Sequence, residues 1–114
     1  MSRHDARLSL AHMRDHACPA IGLVRGRTRA DLDSDRLLNL GLVRLLEIVG
    51  EAASRLPSDE QVRYPKIPWR QIVNLRNRLI HGYDRVDFDL LWKILQEDMP
   101  SLVAELDAIL GARG

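Results

Sequence analysis

One stretch of this chain, "NLRNRLIHGYDR" at residues 74–85, sets side chains at spacings that suit a reaction. Arg76 is followed at once by Asn77, then by His81 five places on from the arginine, then by Tyr83. An imidazole can take the proton of a ribose 2′-hydroxyl or return one to a leaving oxygen, and a guanidinium can neutralise the crowded phosphorane between them. That chemistry cleaves RNA by 2′-oxygen attack and leaves a 2′,3′-cyclic phosphate. It asks for no metal, and the stretch holds no carboxylate cluster that would recruit Mg²⁺. Asn77 lies one turn before His81 on a helical face, where its amide can orient the imidazole or donate to a phosphate oxygen. Arg70, Asn74 and Arg78 are further candidates to hold RNA.

Arginine and histidine five apart mean little alone, since Arg7 and His12 repeat the spacing in an ordinary amphipathic segment. Adding the adjacent Asn and the Tyr two beyond the His makes the pattern a chance event in roughly one chain of this size in ten thousand. Only "RNRLIHGY" satisfies it.

The elements that must carry these residues are helical. Leucines recur at spacings of three and four, and period-two alternation is missing. The pattern predicts an all-α chain: a compact antiparallel helical bundle of four to five helices, one domain over residues 1–114. The first helix is expected over about residues 5–25, with Leu8, Ala11, Asp15 and Cys18 on successive turns and Pro19 bending it. "GRTRADLDSD" reads as a polar connector, and Ser34 or Asp33 as the cap of a second helix, Asp35 to Leu56. That helix is apolar over more than half its circumference, so a partner subunit is expected on the face its own domain leaves bare. Ser58 and Gln61 have capping-box spacing. The third helix should run from Pro68 to His81 and stop at Gly82, and Asp87 should cap a last helix that Pro100 bends or restarts before Leu110.

On a straight helix of 100° per residue, Trp69, Ile72, Val73, Ile80 and Tyr83 crowd one side around Arg76. Arg70, Asn74, Asn77 and His81 form a polar stripe about 140° away. Arg76 and His81 therefore diverge too far to grip one phosphate. Either the helix loosens before Gly82, or the site is completed across a two-fold axis. The competing reading makes Arg76 a buried cation paired with Glu47 or Glu51 and "HGY" a plain helix terminus.

Composition narrows the classes further. A net charge of +1 is too balanced for nucleic-acid binding by bulk electrostatics, so any RNA contact must be a local patch. The single cysteine, Cys18, can form no internal disulfide and reads as a small buried residue. No apolar run approaches a membrane span and the start shows no signal-peptide core, which leads to the expectation of a soluble, cytoplasmic protein with no cofactor. His4, His12 and His16 lack the partners of a metal site, and Ser9, Ser54 and Ser101 have no histidine arrangement that marks a nucleophile. "GLVRGRTRA" is not a phosphate loop, and Glu97 and Asp98 read as surface.

The runs "LEIVGEAASRLP", "YPKIPWRQIVNLRNRLIHGYDRVD" and "LWKILQEDMPSL" resemble the HepT-like family of HEPN-domain proteins, the toxin half of HEPN/nucleotidyltransferase pairs. The resemblance covers most of the chain after the first helix, and Arg-x4-His-x-Tyr is specific to the group. It implies a homodimeric helical bundle and a metal-independent ribonuclease whose catalytic residues would be Arg76 and His81. It also implies a neighbouring nucleotidyltransferase antitoxin that silences the toxin by attaching AMP to Tyr83. Asp84 stands where the family more often has an aromatic or apolar residue, and its carboxylate would repel phosphate unless paired with Arg85 or Arg78. The alternative to a toxin ribonuclease is a catalytically inactive subunit that holds a nucleotide or RNA for its nucleotidyltransferase partner.

Overall fold

The computed structural model describes residues 1–82 and 85–111. Long helical rods dominate, as the leucine spacing predicts. The first, α1 (Arg3–Leu23), begins where the Ser2 hydroxyl accepts from the Asp5 backbone N–H at 3.0 Å and runs through Pro19. Its inward stripe is Ala6, Leu10, Met13, Ala17 and Ala20, all fully buried. This corrects the expected face: Leu8 is 56% exposed and Cys18 is exposed, because the stripe of small and apolar residues beginning at Ala6 fits closer against the neighbouring helices.

The connector contains a single helical turn, α2 (Asp31–Ser34), whose Leu32 is fully buried. Ser34 and Asp33 lie inside that turn, so neither caps the next helix. The cap is Asp35, whose carboxylate accepts from Leu38 N at 3.0 Å and starts α3 (Arg36–Ser54). Arg29 ties the connector to a carboxylate 60 residues on, pairing with Asp33 at 2.9 Å and Asp89 at 2.8 Å. The hydrogen bond to Asp89 is the main cause raising its pKa above the ordinary arginine value, so it stays charged.

On α3, Leu38, Leu42, Leu46, Val49, Ala52 and Ala53 face inward, while Leu37 is 83% and Leu40 49% exposed. A one-turn helix, α4 (Ser58–Gln61), follows. No side chain caps it: Ser58 is already helical, and Gln61 Nε2 instead donates to the Leu56 carbonyl at 3.0 Å, so the expected capping box does not form.

The expected third helix is two short ones, α5 (Trp69–Val73) and α6 (Leu75–Leu79), separated at Asn74. The chain then enters a hairpin of β1 (Ile80–His81) and β2 (Arg85–Val86), with Ile80 opposite Val86 and His81 opposite Arg85. Asp87 caps α7 (Phe88–Lys93) as expected. A π-helical turn over Ile94–Asp98 leads into α8 (Met99–Gly111). Pro100 explains the wide turn: it offers no N–H to the Gln96 carbonyl, and its ring would meet that carbonyl in a regular helix.

Residue pairs fix the directions. Arg7 donates to the Leu110 carbonyl at 3.1 Å and Arg14 pairs with Asp107, while Ile21 lies beside Leu95 and Pro100, so α1 and α8 run antiparallel. Glu47 meets Arg76 and Gly50 meets Ile72, which sets α3 antiparallel to the α5–α6 segment. Among the described residues no helix is long and apolar enough to cross a membrane.

Candidate active site

Gly50 decides how close the motif segment comes to α3. A Cβ there would stand 3.0 Å from the Ile72 carbonyl oxygen and 3.5 Å from that of Val73, so the missing side chain lets the α5 backbone rest directly on the helix. Asn74 then breaks the helical path. Its backbone lies at φ −96°, ψ 16°, and its side-chain amide donates to the Arg70 carbonyl at 2.8 Å, competing with the ladder that would have continued. Leu75 and Leu79 plug the core and turn α6 so that Arg76 and Asn77 face outward.

Arg76 is not the buried cation of the competing reading. Its Nε donates to Glu47 Oε2 at 3.1 Å, but the arginine side chain is 62% exposed. Glu51, the other expected partner, pairs with Arg44 at 3.2 Å. The ion pair divides two hollows. One, of about 210 Å³, is lined by Gly50, Glu51, Ser54, Val73 and Asn77. The other, of about 430 Å³, has an apolar floor of Val43, Ile80, Val86 and Phe88, with Arg36 at its edge.

The helix stops at Leu79, two residues earlier than the spacing predicts. Ile80 takes an extended conformation, φ −103° and ψ 121°, and hands His81 to a strand. β-Branched Ile80 and Val86 pair across the hairpin and cover the core edge, which outweighs two more residues of helix. Gly82, expected to end the helix, has φ +58° in the hairpin loop. Strand alternation turns His81 away from Ile80 and its apolar hollow. Its side chain is 61% exposed, beside its cross-strand partner Arg85, with Nε2 3.9 Å from Asp87 Oδ2.

The other candidates are scattered around this end of the molecule. Arg70 is exposed, and Asn77 lines the smaller hollow with Arg76. Arg78 points elsewhere: it donates to the Gln71 carbonyl and to Asp98, each at 3.4 Å, which leaves Asp98 only 28% exposed and not the free surface carboxylate expected. Tyr83 and Asp84 lie outside the described residues. Among the described residues no three His, Cys, Asp or Glu side chains gather as metal ligands. Two neighbours of the motif were not singled out by spacing, Arg85 and the second oxygen of Asp87. Both become visible once "IHGYDRV" is read as a hairpin, two β-branched residues flanking a glycine-bearing loop.

Residues 12–109 match the family described as Ribonuclease HepT-like. Similar curated proteins include one from Methanocaldococcus jannaschii, named as a candidate RNase, 32% identical over 96% of this chain and 100% of its own length. A probable ribonuclease HepT from Thermococcus cleftensis is 38% identical over 79% of this chain and 86% of its own. A third, from Caldanaerobacter subterraneus and also named as a candidate RNase, is 34% identical over 76% of this chain and 78% of its own. No solved structure matches the chain at a significant level.

Proposed function

Because the chain belongs to the ribonuclease HepT-like family, we propose that it is a metal-independent endoribonuclease acting as the toxin of a toxin–antitoxin pair. The observation that carries the reading is that Arg76, in the first turn of α6, and His81, in the strand that follows it, are both mostly exposed, at 62% and 61%. The core uses neither. His81 takes the proton of a ribose 2′-hydroxyl, the 2′-oxygen attacks phosphorus, and the P–O5′ bond breaks as a proton reaches the leaving oxygen. The products are a 2′,3′-cyclic phosphate and a 5′-hydroxyl. Arg76 stabilises the phosphorane, and Asn77, Arg70 and Asn74 hold the flanking phosphates. Arg78 serves indirectly, its pairing with Asp98 keeping α6 against the π-turn.

A homodimer completes the cleft. His81 turns away from the Ile80 face in one subunit, and the bare leucines of α3, Leu37 and Leu40, offer an apolar surface for a second copy. A nucleotidyltransferase antitoxin would attach AMP to Tyr83, two residues from His81, and the bulky anion would block the cleft and compete with RNA for the arginines.

The test is purified protein with labelled RNA, with and without EDTA, alongside His81→Ala. Expected are EDTA-resistant products with cyclic phosphate ends that the variant does not make, and growth arrest on expression that the variant does not cause. RNA binding without cleavage would favour the inactive binding subunit. For Tyr83, an AMP-sized mass increment with the partner enzyme and ATP, absent from Tyr83→Phe, is expected.

A further inference from the structure

The hairpin that carries His81 ends on a carboxylate held from two directions. The Asp87 backbone N–H donates to the Leu79 carbonyl at 2.9 Å, one step beyond the Ile80–Val86 pair, so its backbone is pinned to the motif segment. Its Oδ1 accepts from Leu90 N at 3.0 Å and caps α7. With both ends fixed, Oδ2 faces the His81 imidazole, 3.9 Å from Nε2. Capping consumes one oxygen and leaves the other for the histidine.

We propose that Asp87 is a positioning residue that holds His81 in the Nε2–H tautomer, leaving Nδ1 as the nitrogen that exchanges a proton with RNA. The proposal rests on the reading of His81 as the acid–base group. A neutral imidazole carries one N–H and one lone pair, and an ionised carboxylate can only accept, so the nitrogen facing Asp87 is the protonated one. Arg85, on the same face by register, is a pure donor and cannot take that role. A separation of 3.9 Å exceeds a hydrogen bond. A small rotation of an exposed ring closes it, and such contacts commonly tighten when substrate binds.

Asp87→Asn separates the two uses of the side chain. Asparagine caps a helix as well as aspartate does. With its carbonyl oxygen on Leu90 N, it can offer the ring only its NH₂, a donor that favours the lone pair on Nε2. Two-bond ¹⁵N–¹H spectra of the imidazole should therefore show Nε2–H in the wild type and a loss of that form in Asp87→Asn. Asp89→Asn, which removes the same charge from a carboxylate paired with Arg29, should leave the tautomer unchanged. On RNA, kcat of Asp87→Asn should fall on the order of tenfold with KM within about twofold. Asp87→Ser, which also caps, replaces the asparagine variant should that one fail to fold.

An unchanged tautomer in Asp87→Asn overturns the proposal, even if kcat falls. A changed tautomer with full kcat overturns the catalytic part of it. If the wild type cleaves no RNA, the ribonuclease reading fails, and the spectra still decide whether Asp87 sets the ring.

Discussion

Glu47 Oε2 accepts a hydrogen bond from Arg76 Nε at 3.1 Å, joining a carboxylate that is 19% exposed to an arginine that is 62% exposed. The shielded partner is the acid. It sits on α3, the helix against which the motif packs, so the guanidinium is steered from the core side while its far end reaches solvent. A pair this exposed contributes at most about 1 kcal/mol to stability, and its larger effect is on direction. Glu47→Gln should therefore change thermal unfolding little, yet lower kcat for RNA on the order of tenfold by loosening the aim of Arg76. Melting curves and single-turnover cleavage on the same preparation check both halves.

His81→Ala should reduce cleavage by at least roughly two orders of magnitude, the usual range for an acid–base group. Arg76→Lys keeps the charge but loses the planar fork that matches a phosphate, so it should be impaired as well. Neither change should disturb folding, because both side chains are mostly exposed. Full activity in His81→Ala would remove the histidine from the mechanism.

Leu37 is the most exposed large apolar residue among those described, at 83%, with Leu40 one turn on. Leu37→Glu puts a charge into the surface assigned to the second copy. Sedimentation should show a dimer for the wild type at micromolar concentration and a monomer for the variant, with helicity by circular dichroism unchanged. A monomeric wild type would remove the second copy from the cleft.

Gly50→Ala tests the contact that lets α5 rest on α3. The new methyl would stand 3.0 Å from the Ile72 carbonyl, a backbone atom that cannot swing aside. Relieving it should cost about 1–3 kcal/mol, read as a lower unfolding midpoint, despite the better helix propensity of alanine. Because the motif follows directly on α5, activity should fall further than stability alone predicts.

The rods of the bundle were legible because their leucines keep a helical period over many turns, and the Asp87 cap because its side chain acts within its own turn. Where several faces compete, periodicity does not select among them. In α1 the stripe beginning at Ala6 and the one beginning at Leu8 have similar spacing, and only the shape of α3 and α8 selects the first. In the motif, helical periodicity through Leu79 continued on paper to His81, but pairing of Ile80 with Val86 depends on a residue beyond the turn. Spacing leaves two ways to reconcile Arg76 with His81, an early helix end or a second subunit, and the helix does end early. Asp87 shows the limit from the other side: a cap is visible in sequence, whereas the direction of its free oxygen is set by the hairpin.

The hairpin that follows α6 divides Arg76 and His81 between regions of unequal resistance to opening. Arg76 belongs to a helix whose Leu75 and Leu79 are fully buried, so releasing it means disrupting the bundle. His81 belongs to a ribbon of two residue pairs, which can part while the core stays intact. Amide hydrogen exchange should accordingly be slow at Leu79 and fast at His81. Parting of those two pairs would move the imidazole away from Asp87 while Arg76 stays in place on its helix.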